Sequence, residues 1–211
     1  MKPKAILFDV DGTILPFDGI MKHIQKTCRH FGVRVPTKEE LLKHTVGYKI
    51  SESIPKLIPE TKKFIDKFRE YYRKSYNSDV KNVKPFPHVK KVFQYVKKRK
   101  IKIGIVTTKR NNQARVTLKY YKIPFDVIIG CDNVKKRKPD PEPVLKACKK
   151  LRVKPEDCIF FGDHPFDMIA AKKAGCIVIG VLTGWGNRTN LKKAGADFIV
   201  KDLRGLKFLL N

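Results

Sequence analysis

Five short apolar runs punctuate the chain, each near-continuous rather than alternating, and each stops at small or polar residues. Residues 4–8 run into Asp9-Val10-Asp11-Gly12-Thr13, and residues 101–106 into Thr107-Thr108-Lys109. Residues 125–129 stop at Gly130-Cys131-Asp132, 158–161 at Gly162-Asp163, and 176–182 at Thr183-Gly184. Runs of this kind predict strands covered on both faces, as in a parallel sheet. Helical stripes precede three of the last four: Val89, Val92, Phe93 and Val96, then Val144, Leu145, Cys148 and Leu151, then Met168, Ile169, Ala171 and Ala174. Strand and helix in alternation predict an α/β fold with a doubly wound, Rossmann-like parallel sheet.

One stretch departs from this rhythm. Between residues 16 and 83 the apolar positions repeat only at helical spacing: Ile20, Ile24, Cys28 and Phe31, then Phe64, Ile65, Phe68, Tyr72 and Tyr76. Thr37-Lys38-Glu39-Glu40 reads as a helix start with a capping box. The pattern predicts an all-helical domain over 16–83, inserted into a core made of 1–15 and 84–211. Pro16, Pro85 and Pro87 at the junctions predict a hinge. The aromatic cluster Phe64, Phe68, Tyr71, Tyr72 and Tyr76 is read as packing of this insert and not as a base-stacking platform.

Composition narrows the class of protein. The chain has 211 residues, 42% of them hydrophobic, with 13 Phe and 7 Tyr. A chain of this length can bury a real core, and these residues exclude a disordered basic tail. No apolar stretch approaches the ~20 residues that span a bilayer, and the N-terminus lacks the apolar region of a secretion signal. A cytoplasmic protein without a membrane role is expected. Five cysteines with no C-x-x-C pair indicate neither a disulfide framework nor a zinc site, and read as small core residues in a reducing compartment.

The chemistry gathers where the predicted strands end, the place at which open α/β sheets bind ligands. Asp9 and Asp11 leave the first strand, and Asp163 and Asp167 leave a later one. Four converging carboxylates repel one another strongly unless a cation lies among them, and an all-oxygen donor set favours a hard divalent ion, Mg²⁺ before Zn²⁺. Thr107 ends the second strand and Lys138 follows the third. A hydroxyl and an ammonium beside such a site are what a transferring phosphoryl group needs.

In this order the residues resemble the haloacid dehalogenase superfamily, and within it the phosphatases similar to phosphoglycolate phosphatase. Four motifs carry the resemblance: Asp9-Val10-Asp11-Gly12-Thr13, Val106-Thr107-Thr108-Lys109, Arg137-Lys138-Pro139-Asp140-Pro141-Glu142, and Gly162-Asp163 with Asp167. Thr108 stands where family members often carry asparagine, and His164 where they carry serine or threonine. The resemblance implies a Mg²⁺-dependent phosphoric monoester hydrolase acting on a small phosphorylated metabolite. Asp9 is then the nucleophile that forms an aspartyl-phosphate, and Asp11 the acid and base. Asp9, Asp11 through its carbonyl, and Asp163 hold Mg²⁺, with Asp167 orienting a ligand water. Gly12, Thr13, Thr107, Thr108 and Lys138 cradle the phosphoryl oxygens. The helical insert takes the position of the family's cap, which closes over the substrate, and Thr45-Val46-Gly47 resembles a cap loop. His164 reads as a loop residue at the rim of the site rather than a ligand. Trp185 reads as surface packing.

Charge changes the picture last. Forty-seven Lys and Arg face 20 Asp and Glu, a formal net charge of +27. Residues 17–83 carry a net +7, whereas from 81 to 125 there are 14 basic residues and no acid. The helices at about 87–99 and 111–122 should share one face of the sheet, giving a basic surface with Lys90, Lys91, Lys97, Lys98, Arg99, Lys100, Arg115 and Lys119. This charge either draws phosphorylated small molecules to an enzyme or docks nucleic acid or another polyanion. The complete motif set and the absence of a base-reading motif favour the first. A sugar phosphomutase is the nearest rival chemistry, because it shares Asp9 and Asp11. Nothing in the pattern fixes an oligomeric state.

Overall fold

A computed structural model describes residues 2–45 and 47–210. Strand β1 (Ala5–Phe8) is followed by four helices, α1 (Asp18–His30), α2 (Lys38–Thr45), α3 (Ile50–Leu57) and α4 (Ile65–Ser78). The chain then alternates: α5 (Val89–Lys98), β2 (Lys102–Val106), α6 (Asn111–Tyr120), β3 (Val127–Ile129), α7 (Glu142–Leu151) and β4 (Cys158–Gly162). It finishes with α8 (Pro165–Ala174), β5 (Ile177–Val181), α9 (Arg188–Lys193), β6 (Phe198–Val200) and α10 (Leu206–Leu210). Residues 17–84 form one compact unit and the remainder the other.

The core unit is built on a six-stranded sheet in the order β3-β2-β1-β4-β5-β6, with every pairing parallel. This is the expected doubly wound α/β core. The chain winds from β1 out to β3, returns through α7 to β4, and winds outward again to β6. Neighbouring strands β1 and β4 thus lead away in opposite directions, which opens a crevice beyond their C-terminal ends. Both faces are covered, so all four residues of β1 and all five of β4 are buried. On one face Phe8 stacks on Phe161 (5.5 Å between rings) and meets Phe93 of α5 at 4.5 Å. On the other, Leu7 joins Val144, Ala147, Cys148 and Leu151 of α7 in one apolar cluster. Truncating a side chain placed like Phe8 costs about 3–5 kcal/mol.

The helical unit follows its sequence pattern. Thr37 and Glu40 exchange capping bonds at 3.2 and 2.7 Å at the start of α2. Phe68, Tyr72 and Tyr76 of α4 are buried, Phe31 stacks on Phe64 at 5.1 Å, and Tyr71 stacks on His30 at 3.7 Å. Val46 of the Thr45-Val46-Gly47 loop lies outside the described residues. Four elements have no counterpart in the sequence pattern: α3, which carries Pro55 inside an eight-residue helix, the short helices α9 and α10, and β6, a three-residue, partly exposed edge strand.

All five cysteines are free thiols, four of them buried, and Cys148 and Cys158 approach to 3.6 Å. Among the described residues no helix is long and apolar enough to cross a membrane.

Candidate active site

The crevice beyond β1 and β4 gathers the acids that follow those strands. Asp9 is fixed at the exit of β1 by its N–H bonding the Phe161 carbonyl of β4 (2.9 Å). Gly12 turns the chain at φ +85°, where a side chain is strained, and a Cβ there would lie 2.3 Å from Asp163. One carboxylate oxygen from each of Asp9, Asp163 and Asp167 lies within 4.8 Å of the other two. All three residues are buried.

Each acid has distinct support. Asp163 accepts the Thr13 hydroxyl (3.1 Å) on one oxygen and the Trp185 N–H (2.9 Å) on the other. Asp167 accepts the His164 N–H at 3.0 Å, closing a capping box at the start of α8. Lys138 reaches between two of the acids, donating to Asp9 (2.7 Å), Asp167 (2.5 Å) and the Val106 carbonyl (3.1 Å). Asp11 stands apart from the trio, with one oxygen 2.9 Å from the Lys109 ammonium. Its other oxygen is buried with no hydrogen-bond partner among the described residues.

Burial is the main force on these groups. It pushes Asp9 up to about 6 against the pull of Lys138, and raises Asp11 against Lys109. It raises Asp163 well above the ordinary carboxylate range, with Asp167 and Asp9 adding to the rise. Burial opposes the Lys138 charge, but Asp167 and then Asp9 outweigh it and hold this ammonium above ordinary lysine. Three clustered carboxylates against one ammonium leave negative charge in excess, and all the donors are oxygen. A hard divalent cation fits that donor set and that imbalance.

The remaining sequence candidates fall around this cluster. Thr107 is buried at the end of β2, and its oxygen accepts the Lys109 N–H (3.1 Å), which leaves the hydroxyl hydrogen for another acceptor. Thr108 beside it is half-buried. Thr13 is fully buried, with its hydroxyl donating to Asp163 at 3.1 Å. His164 caps α8 through Nδ1, accepting the Phe166 N–H at 3.1 Å, and burial together with Lys138 lowers it to about 4. It lies outside the acid trio. Trp185 is 38% exposed and its ring lies 4.8 Å from that of His164. The pairing of Lys109 with Asp11 is not expected from sequence, although a lysine two residues past a strand-end threonine was its visible signal.

A buried acid trio with a lysine at the switch point of a doubly wound sheet defines a phosphoryl-transfer hydrolase by fold and site. The chain belongs to the haloacid dehalogenase-like hydrolases, whose sequence pattern matches residues 6–181, and it is a phosphatase of that family. The pyrophosphatase PpaX of Anoxybacillus flavithermus is 31% identical over 216 residues, covering 100% of this chain and 98% of that protein. PpaX of Oceanobacillus iheyensis is 30% identical, with coverage of 98% and 96%. Among solved structures, a "predicted phosphoglycolate phosphatase" from Haemophilus somnus superposes with a TM-score of 0.89 at 21% identity, covering 100% of this chain and 99% of that one. The last likeness establishes the fold.

Proposed function

We infer that the protein is a Mg²⁺-dependent phosphatase cleaving a small phosphorylated anion through an aspartyl-phosphate on Asp9. Inorganic pyrophosphate heads the candidate substrates, with phosphoglycolate-like phosphomonoesters beside it. The observation that carries this reading is the buried contact of Asp9 with Lys138 next to Asp163 and Asp167. Lys138 occupies one oxygen of Asp9 and leaves the other as the attacking atom.

The steps balance on this chain's own groups. The Asp9 oxygen bonds to phosphorus, the bond to the leaving oxygen breaks, and Asp11 gives that oxygen a proton. Asp11 then takes a proton from water, whose oxygen attacks the same phosphorus and frees the Asp9 carboxylate with orthophosphate. Thr107 and Lys138 hold the phosphoryl oxygens where charge collects. Asp9, the Asp11 carbonyl and Asp163 would hold Mg²⁺, with Asp167 orienting a water on it, and the ion would supply the charge that lets a carboxylate approach a phosphate.

Lys109 bears on the substrate. Its ammonium sits on Asp11, the group that serves the leaving oxygen, so positive charge waits on the departing side. That placement supports a leaving group that is itself an anion, as orthophosphate and glycolate are, and the two PpaX relatives agree with it. A phosphomutase shares Asp9 and Asp11 but releases no net orthophosphate.

The test is orthophosphate release from pyrophosphate, phosphoglycolate and an aryl phosphate, with and without Mg²⁺. Expected are Mg²⁺-dependent release and, in Asp9→Asn, a loss of at least about a thousand-fold with the circular dichroism spectrum unchanged. Full activity in Asp9→Asn, or no release from any of the three with Mg²⁺ present, overturns the reading.

A further inference from the structure

The excess positive charge has an address. In this winding every helix runs back against the strands, so the last turns of α5 to α9 and the first residues of β2 to β6 gather at the N-terminal edge of the sheet. Backbone bonds confirm the gathering: the Lys102 N–H meets the Lys4 carbonyl (3.1 Å), and the Lys4 N–H meets Asp157 (2.9 Å). The last turns there hold Lys97 and Lys98, Lys119, Lys149 and Lys150, Lys172 and Lys173, and Lys192 and Lys193, with no acid among them.

The acids at this edge are already engaged. Asp126 meets Lys97, Asp157 meets Lys4, Asp197 meets Lys172 and Glu156 meets Lys154. Asp126 and Asp197 also turn an oxygen inward to the Ile103 and Val178 amides, so they brace strand starts. Among the described residues no carboxylate forms an ion pair with Lys98, Lys149, Lys150, Lys173 or Lys193, and Lys192 shares Asp197 with Lys172.

Backbone conformation gives an independent sign. Three non-glycine residues have φ in the left-handed region, Lys100 (57°), Lys122 (54°) and Arg152 (54°). They follow α5, α6 and α7, where glycine is the least strained choice, and all three are basic. Gly175 and Gly195 fill the matching places after α8 and α9. One lysine per helix end would satisfy the helix dipole. Paired lysines at four ends, with cations in three strained caps, exceed that need.

We propose that this edge docks a nucleic-acid duplex through its phosphate backbone, without reading sequence, and leaves the acid site at the opposite edge open. Six strands span about 24 Å from β3 to β6, the length of about seven base pairs. The cations lie in rows on either side of the strand starts, α5 and α6 on one face of the sheet and α7 to α9 on the other, fixed on rigid helix ends. A regular phosphate lattice suits such a grid. A membrane would reward an apolar wedge among the lysines; Tyr120 and Phe198 are exposed at the two far ends of this edge, and Phe208 is exposed on α10, whose Lys207 ammonium lies over Tyr95 of α5. A single strand would call for aromatic platforms in the middle.

The experiment uses the full chain and a 24-base-pair DNA duplex of arbitrary sequence, followed by fluorescence anisotropy between 50 and 300 mM KCl. One variant carries Lys98→Gln, Lys149→Gln, Lys150→Gln, Lys173→Gln and Lys193→Gln. A second removes the same charge from the helical unit, at the exposed Lys22, Lys26, Lys43, Lys62 and Lys67. The proposal expects wild-type binding at 100 mM KCl, at least a ~10-fold loss in the first variant, and a salt slope shallower by about 2 to 4. It expects a loss within ~3-fold in the second variant, and hydrolysis of an aryl phosphate unchanged when duplex is bound. No wild-type binding, equal losses in the two variants, tighter binding to phosphatidylserine vesicles than to duplex, or loss of hydrolysis on adding duplex would each overturn it.

Discussion

The two ends of the same six strands are built on opposite electrostatic plans. At the C-terminal edge, carboxylates are crowded and buried, and two lysines, Lys109 and Lys138, are drawn in to meet them. At the N-terminal edge, cations are crowded and exposed, and the few acids are drawn in to meet strand amides and lysines. Buried charge in excess raises the free energy of the fold and asks for a small ion at close range. Exposed charge in excess is screened within about 10 Å at ordinary salt and acts on large partners. The same sheet therefore presents a chemical end and a docking end.

Loss of the nucleophile proposed at Asp9 is the largest expected break at the acid edge, and the other outcomes scale downward from it. Mg²⁺ at a hundred times its dissociation constant should stabilise the protein by about 2.7 kcal/mol, read as a rise in thermal midpoint. In Asp163→Asn that rise should vanish, and the metal-free midpoint should increase because a carboxylate held far above its usual range is gone. A Mg²⁺ shift that survives in this variant removes Asp163 from the cation site.

Lys109→Met should lower kcat/KM by about 10- to 100-fold on pyrophosphate and by less than ~3-fold on an aryl phosphate. Equal losses on both would reduce Lys109 to a support for Asp11.

An acid just past β6 supplies the contrast in pH behaviour. Asp202 is held below the ordinary carboxylate value by its hydrogen bond to Arg204, which approaches to 2.6 Å. A depressed carboxylate stabilises fully above its unfolded value near 3.8 and loses that contribution as pH falls through the folded one. Because Arg204 is largely exposed, Asp202→Asn should cost only about 1 kcal/mol at pH 7. Its denaturation midpoint should converge with that of the parent below pH 3.8. A gap that persists in strong acid would rule out the ionised pair as its source.

At the basic edge the smallest effect runs the other way. Lys100→Gly, Lys122→Gly or Arg152→Gly should each stabilise by about 0.5 kcal/mol through relief of the left-handed backbone, while weakening duplex binding. Destabilisation on denaturant titration would mean that these side chains pack in ways that outweigh the strain.

The sheet was legible because both of its faces are covered: continuous apolar runs mark five of the six strands within two residues, and the helical stripes mark α5, α7 and α8. What escaped was short or broken. The edge strand β6 is too brief to show a period, and Pro55 hides α3. Spacing along the chain could bring Asp9, Asp163 and Asp167 together because each follows a buried strand at the same edge. It could not show that Thr13 turns to Asp163 or that Lys109 settles on Asp11, since both depend on side-chain direction after a turn. The basic stretch at 81–125 drew attention to two helices. The charge instead collects at an edge to which five helices contribute, because the winding sums the ends of segments far apart in sequence.

The chain leaves the core after β1 and re-enters it before α5 through one narrow doorway, closed by the Phe86 N–H on the Ile14 carbonyl at 3.1 Å. The entropy of closing a loop grows only with the logarithm of its length. For the sheet, whatever lies beyond that hydrogen bond is a single long loop, and its content is almost free to vary. Such a neck lets an inserted unit be lengthened, shortened or exchanged over generations while β1 and its acids stay in place, so new substrates can be tried without rebuilding the chemistry.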